Sequence, residues 1–422
     1  MTYMVVINHS DKPITIPAGT VVGQSIRHKT RDYVTSNDEG VSRLEFKVHA
    51  PKDVTGRSVT EETLKERGLD LSNCRDLGAP GAPLLNEEQR QRLVDQWVEI
   101  EQVIAVDPKC PGTSDYMLVR LNTGDHPPQA SKPYSIPYAY QELVRKEIEK
   151  LLKYNLISPC TSAWASPVLV IVKKDQTGEV ANIKLATDVR KLNAVTEMDA
   201  GAIGDMSEIV EKFNGKPYAS CCDVASGYYS FLVRKEDRCK LSFVLPMSVG
   251  GAGTTFCWNR APYGIALMPA QFSRAMMSLF AGLHEDVSSY IDDLTLHTST
   301  FEGHLQALRA MCRRLIMANV QLKGSKCLIL QPSLELLGFD ITPEGIRMQA
   351  KKCKEWADYP RPSNRKELHT FLGGVAWYRK WMEQLSTITA PLSDLLKAKV
   401  VWKWEDRHEA AFQTLLEFLS SD

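Results

Sequence analysis

The stretch that decides the fold is Val287-Ser288-Ser289-Tyr290-Ile291-Asp292-Asp293-Leu294-Thr295-Leu296-His297. The residues on either side of the two acids are mostly β-branched, aromatic or aliphatic, so each flank is predicted to form a short strand. The acids then occupy the tip of a hairpin, where two unit charges about 4 Å apart repel by roughly 4 kcal/mol at an effective dielectric of about 20. A divalent cation would offset that repulsion. Taken alone, an exposed Asp-Asp turn in water is the better interpretation, because Asp is a common turn former.

The composition is that of an ordinary globular chain. With 422 residues, 43% of them hydrophobic and 24% charged, two to four domains with real cores are expected. The formal net charge of zero argues against a uniformly basic nucleic-acid-binding surface, but it allows a local basic groove. No apolar run approaches the roughly 18 residues of a membrane span, and the start lacks a signal peptide's basic region and cleavage site. The ten cysteines form no Cys-x-x-Cys pair, so reduced thiols in a cytosolic setting are expected, without structural zinc.

The N-terminal part differs in texture from the rest. Residues 1–50 alternate apolar and polar between prolines and glycines, which is typical of a small β piece, and they contain no Asp-Thr-Gly or Asp-Ser-Gly protease nucleus. Residues 51–86 are a predicted linker, and a helix is predicted from Glu87 to Val106. Further along, strands are predicted at Pro167–Val172, Asn182–Thr187, Tyr218–Asp223 and, with a Gly kink, Leu334–Ile341; helices are predicted at Tyr140–Tyr154, Pro269–Leu283, Glu302–Ala318 and Arg365–Gln384.

A third acid, Asp223, ends the strand-like run 218–223 and precedes Ser226-Gly227-Tyr228. Three carboxylates brought together would make a hard, oxygen-only cation site of the kind that suits Mg²⁺. Two such ions about 4 Å apart clamp the attacking and leaving oxygens of a phosphoryl transfer. By itself, Asp223 is equally well interpreted as the N-cap of a following helix.

Further motifs stand in a consistent order around these acids. They are Thr123 to Pro128, Lys132 to Tyr134, Ser162 to Pro167, Ile183 to Asn193, Cys222 to Tyr228, Pro262 to Gly264, Pro269 to Phe272, Glu302 to Leu305, Leu336 to Phe339, Arg361 to Leu368 and Phe371 to Gly374. Together with Tyr290 to Asp293, and over about residues 107–422, they resemble the reverse transcriptases of Gypsy-type (Metaviridae) long-terminal-repeat retrotransposons.

The resemblance implies an α+β right-hand polymerase of fingers, palm and thumb with a small N-terminal β extension. Residues 1–50 would be a remnant of the protease-side region without protease activity, and 51–124 a linker and helix. Residues 125–342 would be interleaved fingers and palm, 343–397 a helical thumb, and 398–422 the start of a connection segment. Ribonuclease H and integrase, which usually follow in such polyproteins, are expected to be absent from this chain.

The resemblance also implies roles for particular residues. Asp223 and Asp292 would bind a pair of Mg²⁺ ions, with Mn²⁺ as an alternative metal, while the Val224 carbonyl and Asp293 assist. Lys326 matches the position that protonates the pyrophosphate leaving group, although an ordinary surface lysine fits equally well. The residues implied to bind the nucleotide are Lys173, Lys174, Lys184, Tyr228, Tyr263 and Gly264.

Within that nucleotide-binding set, the lysines would hold the triphosphate and the Tyr228 ring would exclude a ribonucleotide's 2′-OH. Gly264 would allow close approach of the backbone. Leu337, Gly338 and Phe339 would grip the primer end, although buried strand packing is equally compatible.

The chain departs from the family pattern at a few places. Lys184 stands where arginine is usual, which keeps a point charge and loses a bidentate fork. Tyr229-Ser230 replaces the usual His-Gln pair, and Pro246 to Thr255 looks like an insertion. These changes concern nucleotide affinity and fidelity rather than metal binding, because all three acids are present.

The activity implied is template-directed DNA synthesis, with a primed RNA or DNA template and deoxynucleoside triphosphates as partners. A homodimer is compatible with it, no membrane partner is expected, and the setting would be the cytoplasm or element-encoded particles. Residues 347–384 carry nine basic and four acidic residues, which suits a thumb against a phosphate backbone, or a solvated helix face. The alternatives are a catalytically inactive nucleic-acid-binding scaffold derived from such an element and an RNA-copying palm polymerase.

Overall fold

The computed structural model describes residues 61–69, 71, 85–107, 109–174, 180–199, 206–250, 255–331, 334–336, 338–342, 345–398 and 400–420. The expected β piece at 1–50 lies outside these residues, as does most of the expected linker. The strands of the described part are β1 (Ser114–Val119), β2 (Ile157–Pro159), β3 (Ser166–Lys174), β4 (Val180–Thr187), β5 (Tyr218–Asp223), β6 (Phe231–Val233), β7 (Ser242–Val244), β8 (Thr255–Trp258), β9 (Val287–Tyr290), β10 (Asp293–Thr298), β11 (Leu334–Leu336), β12 (Phe339–Thr342) and β13 (Gly345–Met348).

The helices alternate with these strands up to residue 317 and then dominate the C-terminal part. They are α1 (Glu61–Glu66), α2 (Glu87–Ile100), α3 (Tyr138–Lys153), α4 (Arg190–Val195), α5 (Met206–Glu211), α6 (Gly227–Ser230), α7 (Met247–Gly250), α8 (Met268–Leu279), α9 (Phe301–Met317), α10 (Ala350–Ala357), α11 (Arg365–Ala376), α12 (Leu385–Asp394) and α13 (Asp406–Ser420). Within the described ranges, none of these helices is long and apolar enough to cross a membrane.

The expected palm contains a three-stranded antiparallel sheet in the order β5-β10-β9, named the palm sheet. The predicted hairpin, formed by β9 and β10, and the predicted strand 218–223, which is β5, are both confirmed. Strand β10 is the central strand and pairs with both β5 and β9. One face of the sheet packs on α8 and α9 through fully buried side chains such as Phe272 and Leu308. Asp223 is the last residue of its strand, and the helix that follows has Ser226 as its N-cap, so the N-cap interpretation of Asp223 is wrong.

An irregular segment, residues 323–331, extends this sheet along the outer edge of β5. Leu328 exchanges two backbone hydrogen bonds with Cys221, at 2.8 and 2.7 Å. At one end Lys323 N donates to the Asp223 carbonyl at 2.9 Å, and at the other Gln331 N donates to Ala219 at 3.2 Å. The segment therefore follows β5 along its length, and its Lys323 end lies at the acid-bearing end of the sheet.

The expected fingers contain a five-stranded sheet in the order β2-β8-β7-β3-β4. The predicted hairpin of β3 and β4 is confirmed and is longer than expected at its outer end; its tip, 175–179, lies outside the described residues. The predicted amphipathic helix α3 covers the base of this sheet with its apolar stripe of Val144, Ile148 and Leu151. Strand β1, which the sequence did not predict, pairs in parallel with β6 in a separate two-stranded sheet.

The cysteine expectation is wrong at one pair. Cys160 and Cys257 form a disulfide across a sequence separation of 97 residues. The pairing of β2 with β8 brings them together, since Cys160 N donates to the Thr255 carbonyl at 3.0 Å. Cysteines so far apart have no local spacing signal, and that is why the sequence pattern missed the pair. The other seven described cysteines are free thiols.

Two expectations for the region after residue 333 are wrong. Leu334–Ile341 is not one kinked strand but an antiparallel hairpin, with Leu334 opposite Ile341 and Gly338 at the turn with φ of +89°. The chain does not become helical directly after Pro343, because β13 first pairs with β12. A glycine that adopts the left-handed conformation lets the chain reverse, whereas a kink would only bend it.

The C-terminal helices build a second core. The predicted helix from Arg365 ends at Ala376, and α12 begins at Leu385 after a turn. Helix α13 packs on this bundle, with the rings of Phe371 and Phe412 4.9 Å apart. The expected start of a connection segment therefore shares its core with the expected thumb.

Candidate active site

Three carboxylates lie at one end of the palm sheet. Asp223 and Asp293 face each other across β5 and β10, so their side chains project from the same face. Asp292 occupies the two-residue turn before β10, and its carbonyl accepts a hydrogen bond of 2.9 Å from Val224 N. Ile291 holds the turn in a left-handed conformation with φ of +52°, a strained geometry for a β-branched residue. The turn thus places Asp292 beside the other two acids, which a regular strand could not do.

The cluster carries unfavourable negative charge. Burial, and next the neighbouring Asp223, raises the pKa of Asp292 to about 6, and the same causes raise the pKa of Asp293. Asp292 Oδ1 is buried and has no hydrogen-bond partner. Lys326 Nζ donates to Asp223 Oδ1 at 2.9 Å, and this hydrogen bond raises the pKa of Lys326. One ammonium therefore compensates part of the charge of three acids.

The carboxylates fit a divalent cation that takes some of its ligands from the protein and the others from a substrate. Among the described residues, no three His, Cys, Asp or Glu side chains already form a complete ligand set around one point. Mg²⁺ usually takes one or two carboxylates and completes its shell with water and substrate phosphates. Asp223, together with the unpartnered oxygen of Asp292, supplies that minimum, and Asp293 adds charge beside them.

A cluster of aromatic side chains adjoins the acids. The Tyr228 ring lies 5.3 Å from Tyr263 and 5.4 Å from Phe272. Lys184 Nζ sits 4.0 Å above the Tyr263 ring centre, a cation–π contact. Burial first, and then the negative charge of Asp292, raises the pKa of both tyrosines to about 12. The structure thus brings together three of the expected nucleotide-binding side chains.

The loop after Tyr263 is held by a residue to which the sequence analysis assigned no role. Asn193 Nδ2 donates to the Gly264 carbonyl at 2.9 Å, and Asn193 Oδ1 accepts from Ala266 N at 3.0 Å. Gly264 has φ of +98°, so a side chain there would be strained. An asparagine that holds a glycine turn can be recognised as a suitable residue type. Its partner cannot be found from the sequence, because it lies 71 positions away.

The other expected nucleotide-binding lysines lie on the fingers hairpin. Lys173 is paired with Asn182, and Ile171 with Lys184, so Lys173 and Lys184 share a face. After burial, the positive charge of Lys173 is the next cause that lowers the pKa of Lys184. For Lys174 the described feature is the backbone pairing with Val180.

The expected primer-gripping hairpin is only partly described. Leu337 lies outside the described residues, and Gly338 forms the turn. Phe339 is buried, with its ring 4.8 Å from Trp381 and 6.3 Å from Tyr378. Phe339 therefore anchors the hairpin on the helical core and does not reach outward.

A buried series of hydrogen-bonded polar side chains lies behind the sheet and was not predicted from the sequence. Ser220 Oγ accepts from Leu330 N at 2.8 Å, so its own hydrogen is available for His304 Nε2, also 2.8 Å away. The hydrogen on His304 Nδ1 then goes to Thr298 Oγ1 at 3.1 Å, and Thr298 donates to the Thr300 carbonyl at 3.1 Å. Burial lowers the pKa of His304 to about 3, so the ring is neutral. The sequence signal that could have indicated this hydrogen-bonded chain is the occurrence of polar residues inside apolar runs.

Comparisons with known proteins give a consistent result. Residues 171–341 match the family model described as reverse transcriptase (RNA-dependent DNA polymerase). The chain is 29% identical over 280 residues to the retrovirus-related Pol polyprotein from transposon 297 of Drosophila melanogaster, covering 66% of this chain and 26% of that protein. It is 28% identical over 289 residues to the transposon Tf2-3 polyprotein of Schizosaccharomyces pombe, covering 68% of this chain and 21% of that protein. The chain thus spans about a quarter of the length of these relatives.

Solved structures extend the likeness to the fold. A foamy viral protease-reverse transcriptase in complex with double-stranded DNA matches with a TM-score of 0.69 at 20% identity, over 88% of this chain and 62% of that one. The same viral enzyme with an RNA/DNA hybrid matches with a TM-score of 0.65 at 20% identity, over 88% of this chain and 48% of that one. The expected α+β right-hand architecture is confirmed.

Proposed function

We propose that this chain is the reverse transcriptase segment of a Gypsy-type long-terminal-repeat retrotransposon polyprotein and that it copies a primed RNA or DNA template into DNA. The observation that carries the proposal is the pairing of Asp223 with Asp293 beside the unpartnered Asp292 oxygen, next to a cluster of aromatic side chains. The reaction is attack of a primer 3′-hydroxyl on the α-phosphate of a deoxynucleoside triphosphate. Positioning and charge stabilisation supply most of the catalysis in such transfers.

The carboxylates hold the metal in this proposal. Asp223 and Asp292 bind two Mg²⁺ ions, or Mn²⁺, with help from the Val224 carbonyl, while Asp293 reinforces the negative potential. When bound, these ions supply Lewis-acid stabilisation of the charge on the transferring phosphate. Lys326, already hydrogen-bonded to Asp223, stands where it can deliver a proton to the pyrophosphate leaving group.

The pocket beside the acids takes the nucleotide. Tyr228 packs under the sugar, where its ring leaves no room for a 2′-OH. Lys184, Lys173 and Lys174 bind the triphosphate from the fingers hairpin, and Tyr263 and Gly264 form the opposite wall. The position of Lys184 above Tyr263, on the same face as Lys173, supports this arrangement.

The template and primer lie across the palm towards the helical region. The hairpin of Leu337, Gly338 and Phe339 contacts the primer end through its backbone, since Phe339 itself is buried. The basic excess of residues 347–384 faces the phosphate backbone. The proposal places this activity in the cytoplasm, within element-encoded particles, and includes a homodimer as the assembled form.

Primer extension tests the proposal. The full chain is assayed with Mg²⁺ and the four deoxynucleoside triphosphates on RNA and DNA templates. We expect product on both templates and none from Asp292→Asn. The matched control is Asp286→Asn, the same change before β9 at a residue that only approaches Lys216 at 3.9 Å. Equal product from the unmodified chain and Asp292→Asn, or none from either, contradicts the proposal; duplex binding without synthesis favours the scaffold alternative.

The choice of deoxynucleotides has its own test. Tyr228→Val is expected to incorporate ribonucleotides that the unmodified chain rejects, because the smaller side chain frees space for the 2′-OH. Incorporation of each nucleotide class is measured on one template. An unmodified chain that already prefers ribonucleotides shows that the RNA-copying alternative is right.

A further inference from the structure

Arg260 is a buried cation that contacts main-chain oxygens in place of an acid. It is 4% exposed, and its Nη1 donates to the carbonyls of Pro111 and Gly112 at 3.0 Å each and of Tyr229 at 3.2 Å. Its Nη2 donates to Thr113 Oγ1 at 2.5 Å. Among the described residues, no carboxylate lies within ion-pair distance of it. Burying an arginine without an acid is costly, so the four acceptors must be held firmly for the arrangement to persist.

The Tyr229 carbonyl is the acceptor closest to the proposed active site. It belongs to α6, a single helical turn of four residues, Gly227–Ser230. The last carbonyls of a helix have no partner within the helix. Phe231 N bonds to the Tyr228 carbonyl, and Arg260 supplies the donor for the next one. Arg260 therefore fixes the C-terminal side of the turn that carries Tyr228.

The other side of this turn is fixed by the acids. A Cβ added at Gly227 would overlap Asp292 Oδ1 and lie 3.2 Å from the Phe272 ring. The turn is thus held between Asp292 on one side and Arg260 on the other. The Gly227 end of the turn is therefore closely packed against Asp292 and Phe272.

Arg260 also belongs to the segment that forms the opposite wall of the pocket. It stands three residues before Tyr263, whose ring lies 5.3 Å from Tyr228 and 5.1 Å from Tyr229. Its backbone forms a bridge with Leu232, and Ala261 N donates to the Phe231 carbonyl at 3.1 Å. Arg260 thus connects two aromatic segments. Its main chain leads to Tyr263, and its guanidinium donates to the carbonyl of Tyr229.

We propose that Arg260 is a positioning residue for Tyr228, and that through the Tyr229 carbonyl it sets the discrimination of the pocket against ribonucleotides. The inference rests on the proposed function, since it concerns the same nucleotide pocket. A ring that distinguishes hydrogen from hydroxyl on a sugar must be held to a fraction of an ångström. Lysine cannot replace Arg260, because one ammonium cannot reach acceptors spread over the arc that a planar guanidinium spans.

The test compares a deoxynucleotide with the matching ribonucleotide in the full chain. The measured quantity is the ratio of their kcat/KM values, in which the active fraction of a preparation cancels. We expect Arg260→Lys to lower this ratio about tenfold, the size of effect that follows from about 1.4 kcal/mol of lost discrimination. Arg260→Met is expected to lower it further.

The matched control is Arg238→Lys. Arg238 donates to the Val233 carbonyl at 3.1 Å and to Asn259 Oδ1 at 3.3 Å, so it binds the same strands and does not contact Tyr229. An unchanged ratio in Arg260→Lys, or an equal fall in Arg238→Lys, overturns the inference. If Arg260→Met does not fold, Arg260→Lys, which retains the charge, decides the question.

A double variant separates this inference from the proposed function. If Arg260 acts through Tyr228, adding Arg260→Lys to Tyr228→Val causes no further loss of discrimination. A full additional loss shows that Arg260 does not act through Tyr228 and overturns the inference. If Tyr228→Val alone leaves the ratio unchanged, the sugar-excluding role in the proposed function fails instead. If Tyr228→Val lowers the ratio and Arg260→Lys does not, only the inference fails.

Discussion

Lys326 Nζ lies 2.9 Å from Asp223 Oδ1, across the acid-bearing end of the palm sheet. The two residues are 103 positions apart, and they meet because the segment 323–331 follows the edge of β5. The ammonium is more than half exposed, so it can turn from the carboxylate towards a bound nucleotide. A lysine that pairs with an acid in the free protein is thus available to the proposed leaving group.

Lys326→Ala is expected to lower kcat about 100-fold with a smaller change in KM, as loss of a general acid does. Single-nucleotide incorporation under saturating and limiting nucleotide measures both constants. Because the lysine is more than half exposed, its loss should change the free energy of unfolding by no more than about 1 kcal/mol. Lys323→Ala removes the same charge three residues away and should leave kcat unchanged; an equal loss in both variants contradicts the proposed role.

Asp292 is expected to make the metal-free protein more stable as the pH falls from about 7 to about 5. Its pKa of about 6 lies above the unfolded value of about 3.9, so the folded chain binds the proton more tightly in that window. After allowance for solvent screening, the gain is about 2 kcal/mol or less. Urea unfolding with a chelator at pH 7, 6 and 5 measures it.

The control for this pH dependence is Asp292→Asn, which cannot titrate and should lack that part of the slope. Histidines contribute equally to both proteins and cancel in the comparison. Addition of Mg²⁺ should also reduce the slope, since a bound cation favours the charged carboxylate. Identical slopes for the two metal-free proteins would show that Asp292 titrates as an ordinary exposed acid.

Gly227→Ala is expected to abolish synthesis, because the new methyl group overlaps Asp292 Oδ1 and forces the acid out of place. A displacement of about 1 Å at such a site costs on the order of 100-fold in rate, and overpacking costs about 1–3 kcal/mol in stability. Primer extension and urea unfolding measure the two effects. Gly373→Ala is the control, because a Cβ there meets no atom within 4 Å. In helix α11 that change should stabilise by about 0.5–1 kcal/mol without loss of activity.

Lys184→Arg is expected to lower the KM for deoxynucleoside triphosphates several-fold, because the guanidinium binds phosphate oxygens bidentately. Lys184→Ala should raise the KM about tenfold and change kcat less. The exposed Lys191, on α4, provides the matched control as Lys191→Ala. A KM that is the same for all three variants would place the triphosphate elsewhere.

Local patterns predicted the elements that carry the acids. The strand 218–223 and the hairpin around Asp292 were found because apolar periodicity reports directly which face of an element is buried. The same reasoning was wrong at Leu334–Ile341, where one glycine converts a strand into a hairpin, and at Cys160 and Cys257, whose pairing depends on two separate strands.

The motif order carried most of the site prediction, and the structure places Tyr228, Tyr263 and Lys184 in one pocket beside the acids. It did not indicate the supporting residues. Asn193 and His304 stood in quoted motifs, and Arg260 stands two residues before one, yet nothing near them in the sequence indicated their partners. A supporting residue of this kind can be recognised only from the residue that it contacts, and the contacted residue is distant along the chain.

The sequence by itself determined the class of fold, the three acids and the family resemblance, because these depend on residue type, short spacing and order. Only the tertiary structure decided that Lys326 compensates Asp223, that Ser220 orients His304, and that Arg260 holds the Tyr229 carbonyl. These pairs are separated by 103, 84 and 31 residues. Such contacts form when whole elements pack together, and packing over these separations leaves no periodic trace in the local sequence.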